Sequence, residues 1–174
     1  MLEFACGLSA LRRRHPVFRR RRFFSGLSAT APGPGAGGGM QDLVWLTPSG
    51  QEMTGGDWNT YYARSLGVFL NGSAISEPGP HGEAVRDDDF LLFVNAHSEP
   101  VTFVLPGARF AAEWEILVDT SAAAEGAASP PAQDGAARRA RPGDRVSAGD
   151  RIRAGGRAML VLRGDRPAGS APGA

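Results

Sequence analysis

Three groups of side chains in this sequence have types and spacings that suit chemistry. Asp87, Asp88 and Asp89 are adjacent carboxylates, the donor type that holds a hard cation. Successive strand positions point to opposite faces, so such a run does not converge on one ion. The expectation is a solvated turn entering a strand, with no metal. Glu113 and Glu115 lie two apart in E-W-E-I-L-V-D and share one strand face, the spacing of an acid/base pair. General acid–base work needs one of them desolvated in a cleft, and on an outer strand face both are expected in water. Trp58, Tyr61 and Tyr62 form the third group, with Trp45 nearby. Such a trio suits stacking on sugar rings, or a small core plug. His81 and His97 fall in loops, with only Glu99 as a titratable neighbour of His97, and are read as exposed.

Other chemistries find no footing. The sequence has no G-x-G-x-x-G after a strand, no P-loop, no G-x-S-x-G and no H-E-x-x-H, so no cofactor is expected. The single Cys6 excludes an intrachain disulfide and a Cys-based zinc site. A net charge of +1 gives no global field that recruits nucleic acid or anionic lipid. No apolar run approaches the roughly 20 residues that span a bilayer, and the expected location is the cytoplasm. All 19 basic residues are Arg, which with abundant Ala, Gly and Pro points to GC-rich coding. The 24 Gly and 13 Pro among 174 residues imply much loop.

The elements that position these residues read as an all-β domain behind one helix. Residues 2–15 form an amphipathic pattern: Leu2, Ala5, Leu8 and Leu11 recur at threes, with Phe4 beside them. His15-Pro16 stops it, because a residue before Pro leaves the α region. The run Arg19–Arg22 follows between aromatic residues. Three readings compete for this start: an organelle transit peptide, a nucleic-acid patch, and a helix that packs its Leu face on a neighbour outside this chain. The last is preferred. Residues 25–39 are Gly, Ala, Pro and Ser without periodicity, a disordered linker.

From Asp42 onward, short apolar runs alternate with Gly, Pro, Asn and Asp, as in a β-sandwich. Asp42–Thr47 is a strand with two apolar faces: Val44 and Leu46 on one, Leu43 and Trp45 on the other. Thr54-Gly-Gly-Asp57 opens a helix, with Thr54 as N-cap and an acid three on, and Trp58, Tyr61 and Tyr62 along its face. Ser65–Asn71 is a strand. Phe90–Asn95 and Val101–Leu105 read as a hairpin, the first strand central in its sheet. Glu113–Asp119 puts Trp114, Ile116 and Val118 inward. Thr120–Arg145 reads as a long flexible loop ending in Arg138, Arg139 and Arg141. Val146–Gly156 and Arg157–Leu162 form a last strand pair. The resulting plan is a first segment 1–24, a linker 25–39, a β-domain 40–164 and a disordered tail 165–174.

The segments themselves resemble a known family. L-E-F-A-C-G-L-S-A-L-R-R-R-H-P-V-F-R-R-R-R-F-F is similar to the last barrel helix and exit segment of bacterial glycogen-debranching enzymes, isoamylase-type members of the α-amylase superfamily. D-L-V-W-L-T-P-S-G-Q-E-M-T-G-G-D-W-N, A-R-S-L-G-V-F-L-N-G and F-L-L-F-V-N-A-H-S-E-P-V-T-F-V-L-P resemble the C-terminal sandwich of the same enzymes, in the same order. The resemblance runs over residues 2–163, interrupted at 33–39 and 122–141. It implies an antiparallel β-sandwich that follows a (β/α)₈ barrel. It also implies a parent activity, hydrolysis of α-1,6 branch linkages in glycogen or limit dextrin with retention of configuration. That mechanism uses a carboxylate nucleophile and a carboxylic acid/base, on barrel strands. Nothing in this sequence matches their motifs, so no catalytic residue is assigned. The resemblance therefore implies a C-terminal fragment, inactive alone, whose partners are the barrel domain and glycogen. Two other functions stay open: a non-catalytic α-glucan-binding or structural module, using Trp58, Tyr61, Tyr62 or Trp45, and an Arg-rich interaction protein.

Overall fold

The computed structural model describes residues 2–26, 40–60, 64–121, 137–139 and 141–165. They fall into two compact units, Met1–Val44 with Leu70–Asp89, and Trp45–Phe69 with Phe90–Ala174.

In the first unit, helix α1 spans Leu2–Arg14. It ends one residue before the His15-Pro16 step, and a 3-10 turn, Pro16–Arg19, starts on the proline. Phe4, Leu8 and Leu11 recur at i, i+4 and i+7 and so share one face. No α1 residue is buried; Leu2 is 79% exposed, Phe4 45% and Leu8 38%. Val17, just beyond, is buried. The polar segment 71–89 is more ordered than its composition suggests. Asn71 accepts from the Ser73 N–H and donates through Nδ2 to the carbonyls of Met40 and Gln41. Its own N–H reaches the Asp42 carbonyl at 3.1 Å. Gly72 donates to Asp89 and accepts from the Asp87 N–H. A Cβ at Gly72 would lie 2.2 Å from the Asp88 carbonyl oxygen, so only glycine fits there.

The second unit holds the strands. They are β1 (Leu43–Leu46, which begins in the first unit), β2 (Ser65–Leu70), β3 (Asp89–Asn95), β4 (Val101–Val104), β5 (Glu113–Asp119), β6 (Arg138–Arg139), β7 (Arg145–Ser147), β8 (Arg151–Ala154) and β9 (Ala158–Gly164). They form a six-stranded sheet, β1-β2-β3-β9-β5-β7, and a three-stranded sheet, β4-β8-β6. Where the β5, β7, β9, β4 and β8 pairings are defined they are antiparallel; β6 runs parallel to β8. Apolar residues at alternate positions turn inward between the sheets: Leu46, Phe69, Phe93, Phe103, Trp114, Ile116, Ile152, Leu160 and Leu162 are fully buried. Phe93 on β3 stacks on Phe103 on β4, ring centroids 4.4 Å apart, and so joins the two sheets. This is the all-β sandwich preceded by one helix that the sequence implies.

Connectivity departs from the sequence reading in three places. β3 and β4 do not form a hairpin, because β3 sits between β2 and β9 while β4 pairs with β8 in the other sheet. The five residues between them cross the sandwich, and the Phe93–Phe103 stack is made face to face across it. β8 and β9 also lie in different sheets, so the last two strands are no pair. The chain turns between them through Gly155, Gly156 and Arg157, the last at φ 51°. Third, a bulge between Ile116 and Val118 shifts the β5–β9 register. Inward alternation therefore breaks after Ile116: Val118 is half-buried and Asp119 is buried in its place. Asp119 is satisfied by the N–H and hydroxyl of Ser121. Within the stretch read as a loop, Arg138–Arg139 is strand β6; residues 122–136 and 140 lie outside the described residues.

Candidate functional site

The three acidic residues at 87–89 are not a solvated turn. Asp87 is nearly buried, its side chain 6% exposed. Its Oδ1 lies 2.7 Å from His15 Nδ1 and also accepts from the Asp88 N–H, while Oδ2 accepts from the Val17 N–H at 2.9 Å. Ligating atoms of His15, Asp87 and Asp88 lie within 4.8 Å of one another. Asp87 already spends both oxygens on protein donors, so the cluster pins the turn after α1 to segment 71–89. A second pin lies beside it in sequence. Asp42 Oδ2 accepts from Arg20 Nη2 at 3.4 Å and from the N–H and hydroxyl of Ser25; Oδ1 accepts from the Gly26 N–H. Arg20 also donates to the Ala74 carbonyl and lies over the Phe24 ring. Ser25 and Gly26, at the head of the segment read as linker, are thereby held; residues 27–39 lie outside the described residues. Neither pin was legible in the sequence, because its partners are 72 and 22 residues apart.

Glu113 and Glu115 occupy the outer face of β5, as their alternation with the buried Trp114 requires. Both are engaged: Glu115 pairs with Arg163, and Glu113 with Arg145, which also binds Asp165 at 2.6 Å. Asp165 and, after it, Glu113 raise the Arg145 guanidinium above its ordinary value. The two carboxylates are therefore rungs of a cross-strand charge ladder. His81 is exposed. His97 is half-buried, its N–H donating to Asn95. Asn95 itself is buried and saturated, taking Ser65 and His97 as donors and giving Nδ2 to the carbonyls of Glu99 and Gly155.

Of the aromatic group, Trp45 and Trp58 lie among the described residues. Helix α2 spans only Gly55–Trp58. Thr54 starts it, donating through its N–H and its hydroxyl to Asp57, each at 2.7 Å. The hydroxyl bond first, then the backbone bond, lowers the Asp57 pKa below its ordinary 3.8. A lowered folded value means this cap contributes above pH 3.8 and is lost as pH falls through the lowered value. α2 ends at Trp58, and Tyr61 and Tyr62, expected along its face, lie outside the described residues. The ring that Trp58 does meet is Trp45, edge to face, centroids 5.2 Å apart at 81°.

Residues 42–163 match the family model of the isoamylase C-terminal domain. The chain is 46% identical over 121 residues to the glycogen operon protein GlgX homolog of Mycobacterium bovis, and equally so to that of Mycobacterium tuberculosis; the match covers 70% of this chain and 16% of each relative. It is 25% identical over 117 residues to the isoamylase of Pseudomonas amyloderamosa, covering 67% of this chain and 12% of that enzyme. The aligned segment thus spans about a sixth or less of these relatives. With the two-sheet sandwich and the family match over the same residues, the chain belongs to the isoamylase C-terminal domain family.

Proposed function

We propose that this chain is the C-terminal β-domain of a glycogen-debranching enzyme that hydrolyses α-1,6-glucosidic linkages, and that it has no hydrolytic activity alone. The family match across residues 42–163 carries this reading. The state of the acids supports it. A retaining glycosidase needs two carboxyl groups about 5–5.5 Å apart that are free to attack and to donate a proton. Among the described residues, Asp42, Asp87, Glu113 and Glu115 are each bound to a cation or to backbone donors. The partner in this reading is a (β/α)₈ barrel domain, and Phe4, Leu8 and Leu11 on the uncovered face of α1 are the side chains it would cover. Glycogen or limit dextrin is the substrate of the whole enzyme, in the cytoplasm. Purified chain incubated with glycogen is expected to release no linear chains, measured by reducing ends and chromatography. Release above a mock preparation would overturn the reading.

A further inference from the structure

Trp45 and Trp58 are 39% and 53% exposed, the large apolar side chains left exposed in their unit among the described residues. Local structure holds both in place. The turn after β1, with Gly50 N–H on the Thr47 carbonyl and Thr47 N–H on the Gln51 carbonyl, folds residues 51–53 back along the strand. The Met53 N–H then donates to the Trp45 carbonyl at 2.9 Å. The Thr54–Asp57 cap starts α2 at once and delivers Trp58 against Trp45. The pair is therefore preorganised by backbone geometry, which lowers the ordering cost of a ligand.

Size and surroundings decide what the pair fits. An aromatic side chain offers roughly 150–250 Å² in all, so the exposed parts of these two come to about 200 Å². That is far below the roughly 1,000 Å² a stable protein interface buries. The residues around Trp58 in sequence are small or polar: Thr54, Gly55, Gly56, Asp57, Asn59 and Thr60. An exposed indole pair of this size suits a sugar, whose C–H faces are apolar and whose rim is hydroxyl. The 81° between the rings narrows the class further. A flat β-1,4-linked ribbon needs coplanar aromatic rings, whereas an α-1,4-linked chain turns at every residue and presents its ring faces in different directions.

We propose that Trp45 and Trp58 form a binding site for a short α-1,4-glucan segment. The choice of glucan rests on the reading of this chain as a debranching-enzyme domain; the existence of the site rests on the indole pair. The test uses the full 174-residue chain, with maltohexaose and cellohexaose as probes and acrylamide quenching of indole fluorescence as readout. Trp114 is fully buried and supplies the unquenched baseline. Maltohexaose is expected to protect the exposed indoles from quenching, and cellohexaose is not. Trp58→Ala and Trp45→Ala each weaken maltohexaose binding by about tenfold or more, and Trp58→Phe by less. Absence of protection on the native chain overturns the site, whatever the variants do, and leaves the debranching reading to its own hydrolysis assay. Unchanged affinity in both folded alanine variants also overturns it. Preference for cellohexaose, lost in Trp58→Ala, overturns the glucan class and counts against the debranching reading while leaving a sugar site standing.

Discussion

Asp42 sits at the head of β1 and gathers four donors from residues 20–26, and its side chain and that of Arg20 are each 4% exposed. Among the described residues, Arg20 Nε and Nη1 are buried without a hydrogen-bond partner and Asp42 is the carboxylate that supplies the countercharge. Asp42→Ala leaves a buried cation unpaired and should cost about 3–5 kcal/mol, whereas Arg20→Met in the same background should recover part of it by removing the stranded charge. Urea denaturation of the two variants checks this. If the second substitution makes matters worse, the charge is not what Asp42 serves. Residues of this kind were invisible in the sequence for a simple reason. The Thr54–Asp57 cap was readable because its partners are three apart and helix geometry fixes the spacing. Asp42 with Arg20 and Asp87 with His15 are brought together only by the fold, and a lone Asp before a strand carries no mark of its partner.

At the level of elements, most strands were legible, but β6, the division of 146–156 into β7 and β8, and the pairing were not. Alternation shows which face of a strand is buried, and it placed Trp114 and Ile116 inside correctly. It says nothing of which sheet receives the next strand. Five residues after β3 are as suitable for a hairpin as for a crossing, and the deciding contacts lie elsewhere: Asn95 bonds to the Gly155 carbonyl, and the Arg157 N–H donates to the His97 carbonyl at 2.7 Å. The two crossings, β3 to β4 and β8 to β9, therefore brace each other at one end of the sandwich. Gly156 lies where they touch, and a Cβ there would fall 1.9 Å from the Ser98 carbonyl oxygen. Backbone cannot swing aside as a flexible side chain does. Gly156→Ala should destabilise by about 3 kcal/mol, the upper range of overpacking costs, and a thermal melt reads it directly. A near-neutral result would mean that the crossings are not braced against each other.

For the whole molecule, the question is what α1 does when none of its residues is fully buried among the described residues. Phe4 and Leu8 are exposed on one face of the helix. Large apolar groups on a soluble surface mark a contact with something else when they are contiguous. Phe4 and Leu8 keep 45% and 38% of their surface in water and enter no core. Phe4→Ser and Leu8→Gln together should therefore change the stability read from urea denaturation by no more than about 0.5 kcal/mol, as is typical of surface changes. A core helix behaves oppositely, because each buried apolar side chain truncated there costs about 2–5 kcal/mol. The same double substitution should abolish any slowing of α1 amide exchange that a barrel domain added in trans produces, since that slowing requires the face to be covered. A stability that falls by about 2 kcal/mol or more in the isolated chain would show the face already covered by its own residues. One that falls only at high protein concentration would show a second copy covering it, because mass action couples stability to association. Either result would remove α1 as the seat of a barrel. The sandwich would keep its family membership and lose the partner proposed for it.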